Sequence, residues 1–172
     1  MPRRATGAEK ICIPVASLVD TNVLVYRFDP RDSDKQRVAR EVLRAGLSDD
    51  TLVLAHQCIV EFVAAVTRPL DDLGRKPLLP LELARLEAED LMAQFRVIYP
   101  TREVVLTALR GTAMYGLSWF DAHLWAHAEV HGLAEILSED FEHGRHYGTV
   151  RVVDPFLAAT DGVHELPALY TA

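Results

Sequence analysis

Short apolar runs alternate along this chain with longer stretches whose apolar residues recur at helical spacing, and the two patterns predict strands and helices in turn. The first strand should end near Val19. Between Ser33 and Leu47, residues Val38, Ala39, Val42, Leu43 and Leu47 share one helical face. Ser33 and Gln36 have capping-box spacing there, and Gly46 with Ser48-Asp49-Asp50 closes the helix. Thr51 to Ala55 reads as the second strand and Gln57 to Thr67 as a helix stopped by Pro69. Loop-like sequence follows to Pro80, which suits the first position of a helix carrying Leu81, Ala84, Ala88, Leu91, Met92 and Phe95. Val97-Ile98 is a third strand, Thr101 to Met114 a helix broken at Gly116, and Ser118 caps another that runs to Gly132. Glu135 to Leu137 and Val150 to Val153 are the fourth and fifth strands.

Such alternation implies an α/β domain with a mainly parallel sheet. A chain of 172 residues suits one domain that buries roughly 70% of its surface. Residues 1–16 are expected to form a leader, 17–156 the domain, and 157–172 a tail without clear pattern. Right-handed crossovers gather the carboxyl ends of parallel strands on one rim, where ligands bind.

That rim is where the acids fall. Asp20 and Asp140 follow the first and fourth strands, Glu61 lies in the first turns of the helix after strand two, and Asp121 lies in the first turn of the Ser118-capped helix. Apolar segments seldom carry an ionised carboxylate unless it is paired or binds a cation. Four such acids suggest a shared site, and an oxygen-only cluster suits Mg²⁺ or Mn²⁺, ions that activate water for phosphodiester hydrolysis.

Each acid also has a plainer reading. Asp20 could cap a turn or the following helix, and Glu61 could face solvent or pair distantly with Arg68. Asp121 completes a capping box with Ser118, a role compatible with the site. Of Glu139 and Asp140, adjacent residues that point apart if extended, only one is expected to enter the site. His123, His127 and His131 recur every four residues, a spacing able to place two imidazoles on zinc. His123 lies about 200° around the helix from Asp121, so a solvated or interface face turned away from the acids is the expectation, with a zinc hydrolase as the rival.

Composition narrows the class. Apolar residues make up 49% and charged residues 25%, and no apolar run approaches the ~20 residues of a membrane helix. Cys12 and Cys58 are too few for a disulfide framework or a thiolate metal site, which fits a reducing cytoplasm, and both are expected to be buried. A net charge of −7 argues against gripping nucleic acid by bulk positive potential. Arg68, Arg75 and Lys76, and separately Arg145 and His146, are candidate basic patches for RNA, against the alternative of scattered solvated charges.

The segments VDTNVLVY, IVEF, FDAHLWAHAEVHG and LSEDFEHG, in that order, resemble the motifs of PIN-domain ribonucleases, above all the VapC-type toxins of toxin–antitoxin pairs. The resemblance extends from about Ser17 to Phe156. It implies a three-layer α/β/α fold with a parallel sheet in the order 3-2-1-4-5. It further implies Asp20, Glu61, Asp121 and Asp140 as catalytic ligands of Mg²⁺ or Mn²⁺, with Asn22 and Ser138 hydrogen-bonding around them. RNA hydrolysis leaving a 3′-hydroxyl and a 5′-phosphate, a cognate antitoxin and a homodimer belong to the same expectation. A housekeeping RNA-processing nuclease, or a domain that binds RNA or protein without cutting, is the alternative.

Overall fold

The computed structural model describes residues 16–157. The leader, with Cys12, and nearly all of the tail therefore lie outside the described residues. Strand β1 (Ser17–Val19) pairs in parallel with β2 (Leu52–Ala55) on one side and with β4 (Glu135–Leu137) on the other. Beyond β2 lies β3 (Arg96–Ile98), and beyond β4 lies β6 (Val150–Val153), both parallel. The expected order of five parallel strands is thus present, and it is extended by β5 (His146–Tyr147), an antiparallel edge strand. Two residues are too few to show a period, so β5 left no trace in the hydropathy pattern. Gly148 makes its hairpin turn at φ +62°, and a Cβ there would lie 2.8 Å from the Glu129 carboxylate.

Helices α1 (Thr21–Tyr26), α2 (Ser33–Asp49), α3 (His56–Thr67) and α4 (Leu81–Gln94) connect β1, β2 and β3. Helices α5 (Arg102–Tyr115) and α6 (Trp119–Val130) carry the chain back from β3 to β4. Right-handed crossovers running in opposite directions place the two groups on opposite faces of the sheet. The core between these layers includes Leu18, Leu54, Phe62, Ile136 and Phe156, each at most 2% exposed.

Local details depart from the expected ones. Helix α1 was anticipated only through the alternative that Asp20 caps a following helix, because its six residues make fewer than two turns and show little helical period. The cap of α2 is Asp32 rather than Ser33: its carboxylate accepts from the Lys35 amide at 3.0 Å. Nor does Gly46 close that helix. It is buried within it, where a Cβ would fall 2.1 Å from Leu52 Cγ, so the missing side chain lets α2 lie against β2. The stop is Asp50, in the left-handed conformation at φ 53°. Pro80 is the residue before α4 rather than its first residue. Ser118 and Gly116 hold their expected capping positions, whereas Thr101, expected as the first residue of its helix, is the cap before it. Cys58 is buried, as expected. No helix among the described residues is long and apolar enough to cross a membrane.

Candidate active site

Asp20 leaves the sheet with its amide still in the ladder, donating to the Leu137 carbonyl at 3.0 Å. The next residue begins α1, so Asp20 is that helix's cap and its Oδ1 accepts from the Thr21 amide at 2.6 Å. The neighbouring strand β4 ends at the same level and delivers Ser138, whose hydroxyl donates to Asp20 Oδ2. The Asn22 amide then spans the group, donating to Asp20 Oδ2 and Asp140 Oδ2, each at 3.2 Å. Asp140 closes a tight turn by donating its backbone N–H to the Ser138 hydroxyl at 3.1 Å.

Glu61, one turn into α3, accepts from the Thr21 hydroxyl at 2.7 Å and from the Gln57 amide at 2.9 Å. Gln57 also donates to the Phe120 carbonyl at 3.1 Å, and its oxygen meets His123 Nδ1 at 2.7 Å. This one side chain therefore ties Glu61 to the start of α6, which carries Asp121. Asp121 accepts from the Ser118 hydroxyl at 2.7 Å while its own amide donates back to that hydroxyl. The capping readings of Asp20 and Asp121 are thus geometric facts, and both residues also line a common cavity.

That cavity, of about 430 Å³, has Asp20, Glu61, Asp121 and Asp140 in its wall, with Asn22 beside them. Among the described residues, none of the four acids is in an ion pair. Asp20 is 8% exposed, and burial pushes its carboxyl up to about 7. The Ser138 and Thr21 hydrogen bonds pull it down, and the Asp140 and Glu61 charges raise it further. Glu139 also lines the cavity, against the expectation that only one of the pair would do so. It differs from Asp140 in being matched: Lys35 forms an ion pair with it and the Tyr26 hydroxyl donates to it at 2.5 Å.

Uncompensated carboxylates with only oxygen donors around them fit a hard divalent cation in kind. Asn22 Oδ1 adds a buried oxygen that has no hydrogen-bond partner among the described residues. As arranged, however, no three His, Cys, Asp or Glu side chains among the described residues stand close enough to grip one ion. Asn22 links Asp20 to Asp140, while Thr21 and Gln57 hold the Glu61 carboxylate. Side-chain rotation, with water filling the remaining positions as Mg²⁺ ordinarily retains it, would be needed to bring them onto one ion.

The histidines depart from expectation. His127 is fully buried with neither ring nitrogen partnered among the described residues, and His123 is half-buried and joined through Gln57 to the acid site; of the three, His131 alone is exposed. The stripe is not a solvated face, because α6 is covered on nearly all sides, with Ala122, Leu124, Trp125, Ala126 and Ala128 buried around it. Burial, followed by the neighbouring His123, His131 and His56, pushes His127 down to about 4, so it is neutral at pH 7. No third ligand of the kind a zinc site needs joins the stripe among the described residues.

Neither expected basic patch reaches the cavity. Arg75 pairs with Asp71, Arg145 pairs with Glu142 and lies over the Tyr147 ring at 4.6 Å, His146 is in β5, and Arg68 and Lys76 are exposed. The cation that does line it, the sole one among the described residues, is Arg31. Sequence reading missed Arg31, Thr21 and Gln57, since polar residues in a turn or beside a helix start carry no pattern that marks them.

Comparison with known proteins agrees with this architecture. The family model for the PIN domain matches residues 17–149. A toxin–antitoxin complex from Klebsiella pneumoniae is similar at a TM-score of 0.55 and 20% identity, over 81% of this chain and 98% of that one. DNA-bound VapBC from Salmonella typhimurium gives 0.59 and 14%, over 82% and 98%. A sarcin–ricin-loop-cleaving VapC toxin from Mycobacterium tuberculosis gives 0.52 and 14%, over 70% and 87%. Comparison with curated protein sequences gives no significant match.

Proposed function

The chain belongs to the PIN domain family, and on that premise we propose that it is a divalent-metal-dependent endoribonuclease acting as the toxin of a toxin–antitoxin pair. The observation that carries the nuclease reading is the set of four acids, unpaired among the described residues, around one cavity with Asp20 buried at its base. Leaving carboxylates uncompensated there costs stability, and a bound cation is the ordinary compensation. The toxin reading is supported by similar structures that are themselves toxin–antitoxin complexes, and the RNA substrate by the one described as cleaving the sarcin–ricin loop.

In this reading Asp20, Glu61, Asp121 and Asp140 hold Mg²⁺ or Mn²⁺. The ion supplies activation of water and neutralisation of the charge that develops on the phosphoryl oxygens. Ser138 and Asn22 fix the Asp20 and Asp140 carboxylates by hydrogen bonds, and Thr21 and Gln57 do the same for Glu61. A Glu61 held at both oxygens cannot swing onto the Asp20 side unless one of those bonds breaks. An antitoxin would silence such a site most directly by placing a guanidinium among the acids, where a bidentate fork matches carboxylate geometry. A homodimer and a cytoplasmic location complete the proposal.

The test is cleavage of looped or single-stranded RNA by the purified protein. Cutting should require Mg²⁺ or Mn²⁺, stop in EDTA and fall to background in Asp121→Asn. Undiminished cutting by protein shown to be metal-free would refute the metal mechanism. Retained activity in Asp121→Asn would remove that residue from the site.

A further inference from the structure

A cavity walled by carboxylates repels the nucleic-acid backbone everywhere except where a cation compensates, so the position of any cation in its wall constrains how RNA can lie. Arg31 is that cation among the described residues. It sits in the turn between α1 and α2 and is fixed along one edge: Asp29, 4% exposed, accepts from Arg31 Nε at 2.8 Å, from the Nη2 amine at 2.6 Å and from the Arg31 backbone amide at 3.0 Å. Among the described residues the other amine, Nη1, has only a 3.4 Å contact to Asp72, whose side chain is 78% exposed. A guanidinium presents five N–H donors, and burying one edge against a carboxylate leaves the opposite edge pre-oriented and unspent. The Asp29 pairing also holds the guanidinium cationic at any working pH.

We infer that Arg31 is the backbone-phosphate contact of the site, binding a phosphate of the RNA strand beside the scissile one through its Nη1 edge, with Asp29 as the residue that positions it and Asp72 as a weak competitor that RNA displaces. This rests on the nuclease reading and adds to it where the strand is held. Phosphate contacts of this kind set register without reading sequence, so the effect belongs in substrate binding and not in the chemical step.

Steady-state cleavage of a short RNA hairpin by the full chain in Mg²⁺, over a range of KCl, tests it. Arg31→Gln should raise KM about tenfold with kcat within about twofold, and should make the fall of kcat/KM with salt shallower by roughly one logarithmic unit of slope. Asp72→Asn should lower KM, whereas Asp71→Asn, the adjacent exposed acid paired with Arg75, should leave it unchanged. The last two are surface changes that do not depend on Arg31→Gln folding. An unchanged KM and salt slope in Arg31→Gln, a loss confined to kcat, or equal effects of Asp72→Asn and Asp71→Asn would overturn the assignment. Wild-type protein that cuts no RNA with any divalent cation would instead overturn the nuclease reading beneath it.

Discussion

Asp20 and Asp29 line the same cavity and are almost equally hidden, at 8% and 4% exposed, yet they respond to burial in opposite directions. Arg31 takes both oxygens of Asp29, and those hydrogen bonds hold its carboxyl below the usual carboxylate range despite burial. Among the described residues Asp20 meets hydroxyl, amide and backbone donors but no cation, and burial pushes it up to about 7. The same difference in pairing recurs between neighbours: Glu139 is paired with Lys35, whereas Asp140 has no ion pair among the described residues. Burial by itself therefore does not mark the site. What separates the two classes is whether the fold supplies the counter-charge: where it does, the acid is matched within the protein, and where it does not, the charge stays uncompensated and open to a ligand.

The contrast predicts opposite responses to the same chemical change. The largest is at Asp20. Its folded pKa of about 7 lies above the ordinary 3.8, so ionising it opposes folding. In the absence of divalent metal the protein should lose up to a few kcal/mol as pH rises from about 4 to about 7, and little more beyond. Asp20→Asn should flatten that slope, melt at or above the wild type in EDTA at pH 8, and lose most of the Mg²⁺-induced rise in Tm that linkage gives the wild type. A variant several degrees less stable there would show that capping α1 is the main task of Asp20.

Asp29→Asn should act the other way, destabilising by about 1–3 kcal/mol at pH 7 through the lost charged hydrogen bonds. Because the folded pKa of Asp29 is lowered, its contribution is present above the unfolded value and is lost as pH falls through the folded one. The gap between wild type and variant should therefore persist from pH 8 to pH 5 and close only in more acid solution. Coincident urea curves at pH 7 would mean the pair is idle.

The smallest effect is expected at a third kind of buried group. His127 is neutral at pH 7, and neither ring nitrogen has a partner among the described residues to lose. His127→Leu should shift stability by no more than about 1 kcal/mol, since replacing an unpartnered polar group by an apolar one of similar shape is close to neutral. Destabilisation of several kcal/mol in chemical denaturation would show that the imidazole has a partner after all.

The alternation of strand and helix, and the ends of β4 and β6, were legible because periods of two and of 3.6 are local properties of a dozen residues at most. So was the placement of Asp20 and Asp140 just past strands that lie side by side. The six-residue α1 and the two-residue β5 were not, because each is too short for its period to repeat twice. Which charges are paired was not legible either. Thr21 reaches Glu61 across 40 residues and Ser138 reaches Asp20 across 118, distances in sequence that only the docking of whole elements closes.

Alone, the sequence determined the order and kind of the main elements and the concentration of acids at one rim, because apolar periodicity and strand ends are written in neighbouring residues. Only the tertiary structure decided that Arg31, not the expected patches, faces the cavity, that His127 is buried, and that among the described residues Asp20 stays unpaired while Asp29 is matched. Those outcomes depend on which surfaces pack together, and so on how much water each charge keeps and which opposite charge it meets.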